Sequence, residues 1–369
     1  LAPTLATCLA RRENDLAAVR LLAAIAVLHA HAWVVTTRGL QTSDFFHVFG
    51  FSLDFHGVHA FFILSGMLLA RSLIERPDPL RFVVARLVRY LPAIFVSTAI
   101  AALALGPLLT RLALAEYFAQ GAPFLFILKV TSLLDINAPL PGVFDFGPQP
   151  TTLYVPLWTV HYELVFALAL AALGALLKRR WLVLAALVAT LAVNVVWFWN
   201  GEEHAHLGSP HHLVRFCSAF GIGIALAVFA ERVPVSNRML LAIAAVTIPL
   251  GFTPFAALAG MILLAYAILC VGFLGGRLTA ALAKLGVWSY GFYVSGFVIE
   301  QTVAALGLPG GAWTVAAVSL PLALAAGALS WRYVERPTIA RTSALASALR
   351  GGRKPAPRRE ATLTSVARD

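Results

Sequence analysis

The sequence predicts an all-α polytopic membrane protein, and three observations carry that expectation. Of the 369 residues, 60% are hydrophobic and only 12% charged, against about 45–50% and about 25% in a soluble domain. The apolar residues fall in runs long enough to cross a bilayer, about 20 residues each. Lysine and arginine sort between alternate connecting segments as membrane topology requires. No polar stretch is long enough to build a soluble core. A single membrane domain over residues 1–340 is therefore expected, followed by a basic cytoplasmic tail, 341–369, disordered by composition.

The apolar runs place ten spans near residues 14–36, 57–75, 88–108, 156–177, 181–199, 212–230, 238–252, 255–274, 285–306 and 312–334. With the N-terminus inside, 23 of the 28 basic residues lie on cytoplasmic segments. Arg38, Arg111, Lys129 and Arg215 are then left on outside loops and Arg20 within the membrane. This sorting puts both termini in the cytoplasm. It also accounts for the formal charge of +11 without a nucleic-acid partner. Cys8, Cys217 and Cys270 are too few and too scattered for a disulfide framework, and no metal-ligand spacing occurs. Leu1–Glu13 lacks the apolar centre of a signal peptide, so residues 14–36 read as an uncleaved first span. In the long outside loop, Thr110–Val155, the apolar stretches 112–118 and 123–134 are too short to span. They are expected to lie in the interface or to re-enter the membrane.

Asn14–Thr36 holds the first polar groups of interest. Arg20 and His31 are eleven residues apart, and eleven helical steps of about 100° return to within about 20° of the start. Both lie on one stripe, roughly 16 Å apart along the axis. An arginine inside a span costs about 3 to above 10 kcal/mol, so it marks a function or a partner. His31, about 8 Å from the outer end, can accept a proton from a hydroxyl, or can serve as a structural histidine bonding across helices. The fourth span opens LWTVHYELVF, and Glu163 lies about 10 Å below Pro156, a depth matching that of His31. A carboxylate there orients an imidazole or forms an ion pair with an intramembrane cation. Trp158, His161 and Tyr162 flank it as candidate substrate-binding residues. In RFVVARLVRYLP, Arg86 and Arg89 share a helical face at i, i+3. They can grip a phosphate or pyrophosphate, as on a coenzyme A donor, or anchor the helix at the cytoplasmic surface. Arg20, roughly 9 Å into its own helix, extends that site. Arginines on one side with a histidine and a carboxylate on the other fit acyl transfer across a membrane. The rivals are a transporter or flippase of a lipid-linked glycan, with the same groups as its polar path, and an inactive subunit of a glycan-assembly complex. No inverted half-repeats of the transporter kind are visible.

These residues carry a resemblance that covers nearly the whole chain. Arg20-x10-His31 resembles the first-helix motif of the acyltransferase-3 family, and Gly57–Gly66 (GVHAFFILSG) its GVDLFFVLSG, with His59 where Asp is frequent. Arg86-x2-Arg89 matches its arginine pair, and Trp158–Glu163 its WSLSxE element. Leu285–Phe297 (LGVWSYGFYVSGF) and Trp331–Pro337 (WRYVERP) resemble its two closing motifs. The resemblance implies a multi-pass O-acyltransferase of a bacterial inner membrane, with acyl-CoA, foremost acetyl-CoA, as donor and no metal. Its acceptor would be a hydroxyl on an extracytoplasmic glycan. His31 would be the general base, assisted by Glu163, with Arg20, Arg86 and Arg89 on the donor. Two positions depart from the pattern. Gly296 stands where many members have histidine, and His161 replaces a small residue.

Overall fold

A computed structural model describes residues 2–11, 13–37, 48–144, 152–199 and 210–349. A short α1 (Leu5–Ala10) precedes α2 (Leu16–Thr36), α3 (Leu53–Glu75) and α4 (Pro79–Ile100). Then come α5 (Ala122–Thr131), α6 (Leu157–Leu173), α7 (Arg180–Trp199) and α8 (Pro210–Val228). The second half runs α9 (Asn237–Leu250), α10 (Ala256–Leu274), α11 (Arg277–Gly286), α12 (Ser289–Ala305) and α13 (Gly311–Ser330). Among the described residues the only β pairing is two isolated bridges. Eight helices among the described residues are long and apolar enough to cross a membrane, or nine if α11 and α12, bent by 70° at their junction, form one span. The chain is an all-α multi-pass membrane protein.

The expected count of ten differs from this at two places. The fourteen residues of α9 reach about 21 Å, short of the roughly 30 Å hydrocarbon core. The span placed at 285–306 begins only at Ser289, because the chain turns sharply out of α11. A third difference matters for function. The helix placed at 88–108 runs for 31 residues, Pro79–Leu109. Asp78 caps it by accepting the Arg81 amide at 3.0 Å, and Pro79 at the first position loses no intrahelical bond. Arg86 and Arg89 are thereby carried into the helix interior. Near its far end the helix loosens into a π turn, Ala101–Leu105, and the Tyr117 hydroxyl donates to the Ala102 carbonyl at 2.7 Å.

Helices α2 and α3 form the centre. Around α2 pack α3 and α10 to α13, while α3 lies along α8. A methyl group added at Gly66 would stand 2.1 Å from the Phe220 carbonyl oxygen, and one at Gly223 2.1 Å from that of Ile63. Small residues of this kind let helix backbones meet where lipid supplies no hydrophobic drive for association. Helix α7 is almost wholly peripheral. Arg215, expected on an outside loop, sits instead within α8 at 3% exposure. In the long loop, α5 packs on α4, with Thr98 and Thr131 hydroxyls 3.1 Å apart, and the stretch 112–118 yields only the single turn Leu114–Tyr117. The start of the expected disordered tail is helical, Thr342–Leu349, and packs on α4. Residues 350–369 lie outside the described residues.

Candidate active site

A cavity of about 390 Å³ opens between α2, α3, α4, α6, α12 and the turn after α13, walled by Arg20, Arg86, Arg89, Tyr90, Glu163 and Tyr293 among others. Its size falls within the roughly 300–1,000 Å³ typical of small-molecule sites. Helix α2 is held close by Gly286, where an added methyl would lie 2.0 Å from the Ala17 carbonyl oxygen. Across the cavity the Ser65 hydroxyl donates to the Glu163 carboxylate. The Tyr293 hydroxyl donates to the Pro156 carbonyl at 2.7 Å and lies 2.6 Å from the Thr159 hydroxyl, tying α6 to α12. Arg20, Arg86, Arg89 and Glu163 all line the cavity, so four sequence-predicted residues converge here.

The two arginines of α4 have different surroundings. Arg89 Nη1 donates to Glu335 Oε2 at 2.7 Å, and Ser330 Oγ donates to the other carboxylate oxygen at 2.9 Å. The Arg89 guanidinium also lies 5.1 Å from the Tyr290 ring centre and 5.9 Å from that of Trp331. Glu335 ends a π turn, Trp331–Glu335, just before Pro337; such turns re-aim side chains and recur at functional sites. Arg86, by contrast, has a buried Nε with no hydrogen-bond partner among the described residues, and a Phe82 ring lies 5.9 Å beneath its guanidinium. Three arginines face two carboxylates, which leaves a positive excess suited to an anionic group.

His31 is not part of this wall. Its imidazole meets the edge of Phe297 with ring centres 5.1 Å apart, and the carboxylate acting on it is Asp54, at the start of α3. The expected pairing with Glu163 does not form. Glu163 bonds to Ser65, eleven residues along α3 from Asp54 and so roughly 16 Å deeper. The depth count failed because it ran along each helix from that helix's own end, and the two ends are not level: Glu163 meets Ser65 on the Arg20 wall, away from His31. The flanking residues divide. Trp158 and Tyr162 face α8, with Trp158 4.9 Å from the His212 ring and 5.3 Å from Phe216, whereas His161 is exposed. Gly296 faces α2, where an added methyl would meet Leu28 at 3.5 Å. Ser65, Tyr90, Tyr293 and Glu335 were not singled out from sequence. The signal for Glu335 was its place in the WRYVERP motif.

Against known proteins, the model of an acyltransferase domain matches residues 13–332. The chain belongs to the acyltransferase-3 family. Nodulation protein 10 of Rhizobium leguminosarum bv. viciae is 27% identical over 368 residues, covering 91% of this chain and 96% of the relative. No solved structure matches. As an acyltransferase-3 protein, the chain is a multi-pass membrane acyltransferase of the O-acetyltransferase-like kind. The transporter reading, which drew on the same intramembrane charges, gives way to it.

Proposed function

We propose that this acyltransferase moves an acetyl group from cytoplasmic acetyl-CoA to a hydroxyl of an extracytoplasmic glycan, across the inner membrane of a bacterium. The observation that carries this reading is the convergence of Arg20, Arg86 and Arg89 on one cavity inside a lipid-embedded bundle. Arg86, with a hydrogen-bonding valence to spare, takes a phosphate of the donor. Arg89, already clamped to Glu335, adds charge from a fixed position. Arg20, on the same cavity wall as Glu163, adds its charge to the grip on the donor's anionic end.

His31 acts at the other level as general base on the acceptor hydroxyl. The roughly 16 Å between Arg20 and His31 along α2 suits a donor whose anionic end is joined to its thioester by a long flexible arm. Coenzyme A has that construction. Calorimetric titration of the purified protein tests the grip. Acetyl-CoA is expected to bind at least about tenfold more tightly than acetyl-pantetheine, which lacks the nucleotide phosphates, a difference of about 1.4 kcal/mol. Equal affinities would remove the arginines from donor recognition. Mass spectrometry of surface glycans with and without the gene identifies the acceptor.

A further inference from the structure

Packing of α3 against α2 brings a carboxylate to His31 from a position outside every motif named above. A methyl added at Gly57 of α3 would lie 2.7 Å from the Ala23 carbonyl oxygen and 3.3 Å from Val27 Cγ2 of α2. Deeper along the pair, Ser65 and Leu68 share the cavity wall with Ala17 and Arg20, so the two helices run antiparallel. One turn back from Gly57 on the same face is Asp54, and one turn on from Val27 is His31. The two side chains therefore stand at one level on facing helices, and Asp54 is the carboxylate whose charge His31 feels.

Asp54 is itself held. The Ser52 hydroxyl donates to it, and the buried Arg215 is the cation it acts on from α8. Arg215 is fixed in turn by a 2.9 Å bond to His212 Nδ1 and by the Phe55 ring 4.1 Å from its guanidinium carbon. Among the described residues none is hydrogen-bonded to His31, so its ring nitrogens are uncommitted at rest. Catalytic hydrogen bonds are often long in unliganded sites and tighten when the complex forms.

We propose that Asp54, rather than Glu163, is the positioning residue of His31. In the working complex its carboxylate accepts the N–H of one ring nitrogen, leaving the other nitrogen to face the acceptor hydroxyl. The bond changes then balance. The hydroxyl proton passes to His31 as the acceptor oxygen bonds to the acyl carbon; the carbon–sulfur bond breaks, and the leaving thiolate takes the proton from the imidazolium. Asp54 faces the imidazolium while it lasts. The role in transfer rests on the acetyl-transfer reading above; the pairing itself does not.

The test uses the full chain, labelled with ¹⁵N-histidine and solubilised in detergent, with the His31 signal assigned by its loss in His31→Gln. With acetyl-CoA at saturation, the wild type is expected to hold one ring tautomer at His31, Asp54→Asn to give the other or a mixture, and Asp54→Glu to restore the first. The paired readout is acetyl transfer from labelled acetyl-CoA to surface glycan. Asp54→Asn should lower kcat by about 10²-fold or more with KM for acetyl-CoA unchanged, and Asp54→Glu should recover part of it. A mixed tautomer in the wild type, an unchanged His31 signal in Asp54→Asn, or a changed signal with kcat intact would each overturn the proposal. A tautomer that follows Asp54 in a protein showing no acetyl transfer would uphold the pairing and sink the acetyl-transfer reading instead. If Asp54→Asn does not fold, the Ser52→Ala variant, which removes the hydroxyl holding Asp54, carries the same comparison at reduced amplitude.

Discussion

Removing the Arg89 side chain would leave Glu335, which is 1% exposed, without its counterion, held by the Ser330 hydroxyl and the Gly291 backbone. Breaking a buried ion pair on one side costs about 3–5 kcal/mol, because the remaining charge stays desolvated without its counterion. The Arg89 side chain is itself 20% exposed, which places the expected loss for Arg89→Met at the lower end, about 3 kcal/mol. Glu335→Leu alone leaves the guanidinium facing Tyr290 and Trp331, whose rings return part of the loss, about 0.5–2 kcal/mol. The double variant Arg89→Met/Glu335→Leu removes both charges together and should recover most of the stability, since apolar replacement of a buried pair is often neutral. Unfolding of the four proteins in mixed micelles against the mole fraction of denaturing detergent gives the cycle, with a coupling energy of about 2–3 kcal/mol expected. Donor affinity should stay low in the double variant even as stability returns. An Arg89→Met protein within about 0.5 kcal/mol of wild type, the range of an ordinary surface change, would refute the structural role given to this pair.

Further outcomes follow from neighbouring geometry. Gly66→Ala or Gly223→Ala places a methyl 2.1 Å from a carbonyl oxygen of the facing helix, so each should cost about 1–3 kcal/mol, read as a lowered thermal midpoint in detergent. Gly296→Ala meets Leu28 at 3.5 Å, an ordinary contact, and should leave that midpoint unchanged. Arg86→Gln should weaken acetyl-CoA binding about tenfold or more, on the scale of one charge-assisted hydrogen bond, without unfolding the protein, because the Arg86 Nε has no hydrogen bond to lose. His161→Ser should leave KM for the glycan acceptor as it is, since the side chain is exposed and forms no part of the cavity wall.

Helical periodicity and hydropathy made the all-α membrane class legible, because the bilayer forces long apolar helices and every spanning backbone group must be satisfied internally. The convergence of Arg20, Arg86 and Arg89 could be read from motif spacing, since each sits on a helix whose geometry is regular. What spacing could not supply was absolute depth. Counting from Pro156 assumed that α2 and α6 end at one level, and the Ser65–Glu163 bond beside Arg20 shows that they do not. That single error paired Glu163 with the wrong helix level. Arg215 was counted on an outside loop although it falls just within the span placed at 212–230, and α8 carries it. Glu335 depends on a π turn, and a one-residue change of helical register leaves no trace in a hydropathy pattern.

On the proposed mechanism, one chain joins an arginine-lined donor cavity to a proton acceptor at the other level of the same helix. Membrane vesicles carrying the wild type or His31→Gln, given acetyl-CoA labelled in its acetyl group, test it most directly. Label is expected in the glycan fraction with the wild type and at background with His31→Gln, while both proteins bind acetyl-CoA equally well. Equal labelling by the two, or labelling lost together with donor binding, would contradict the account.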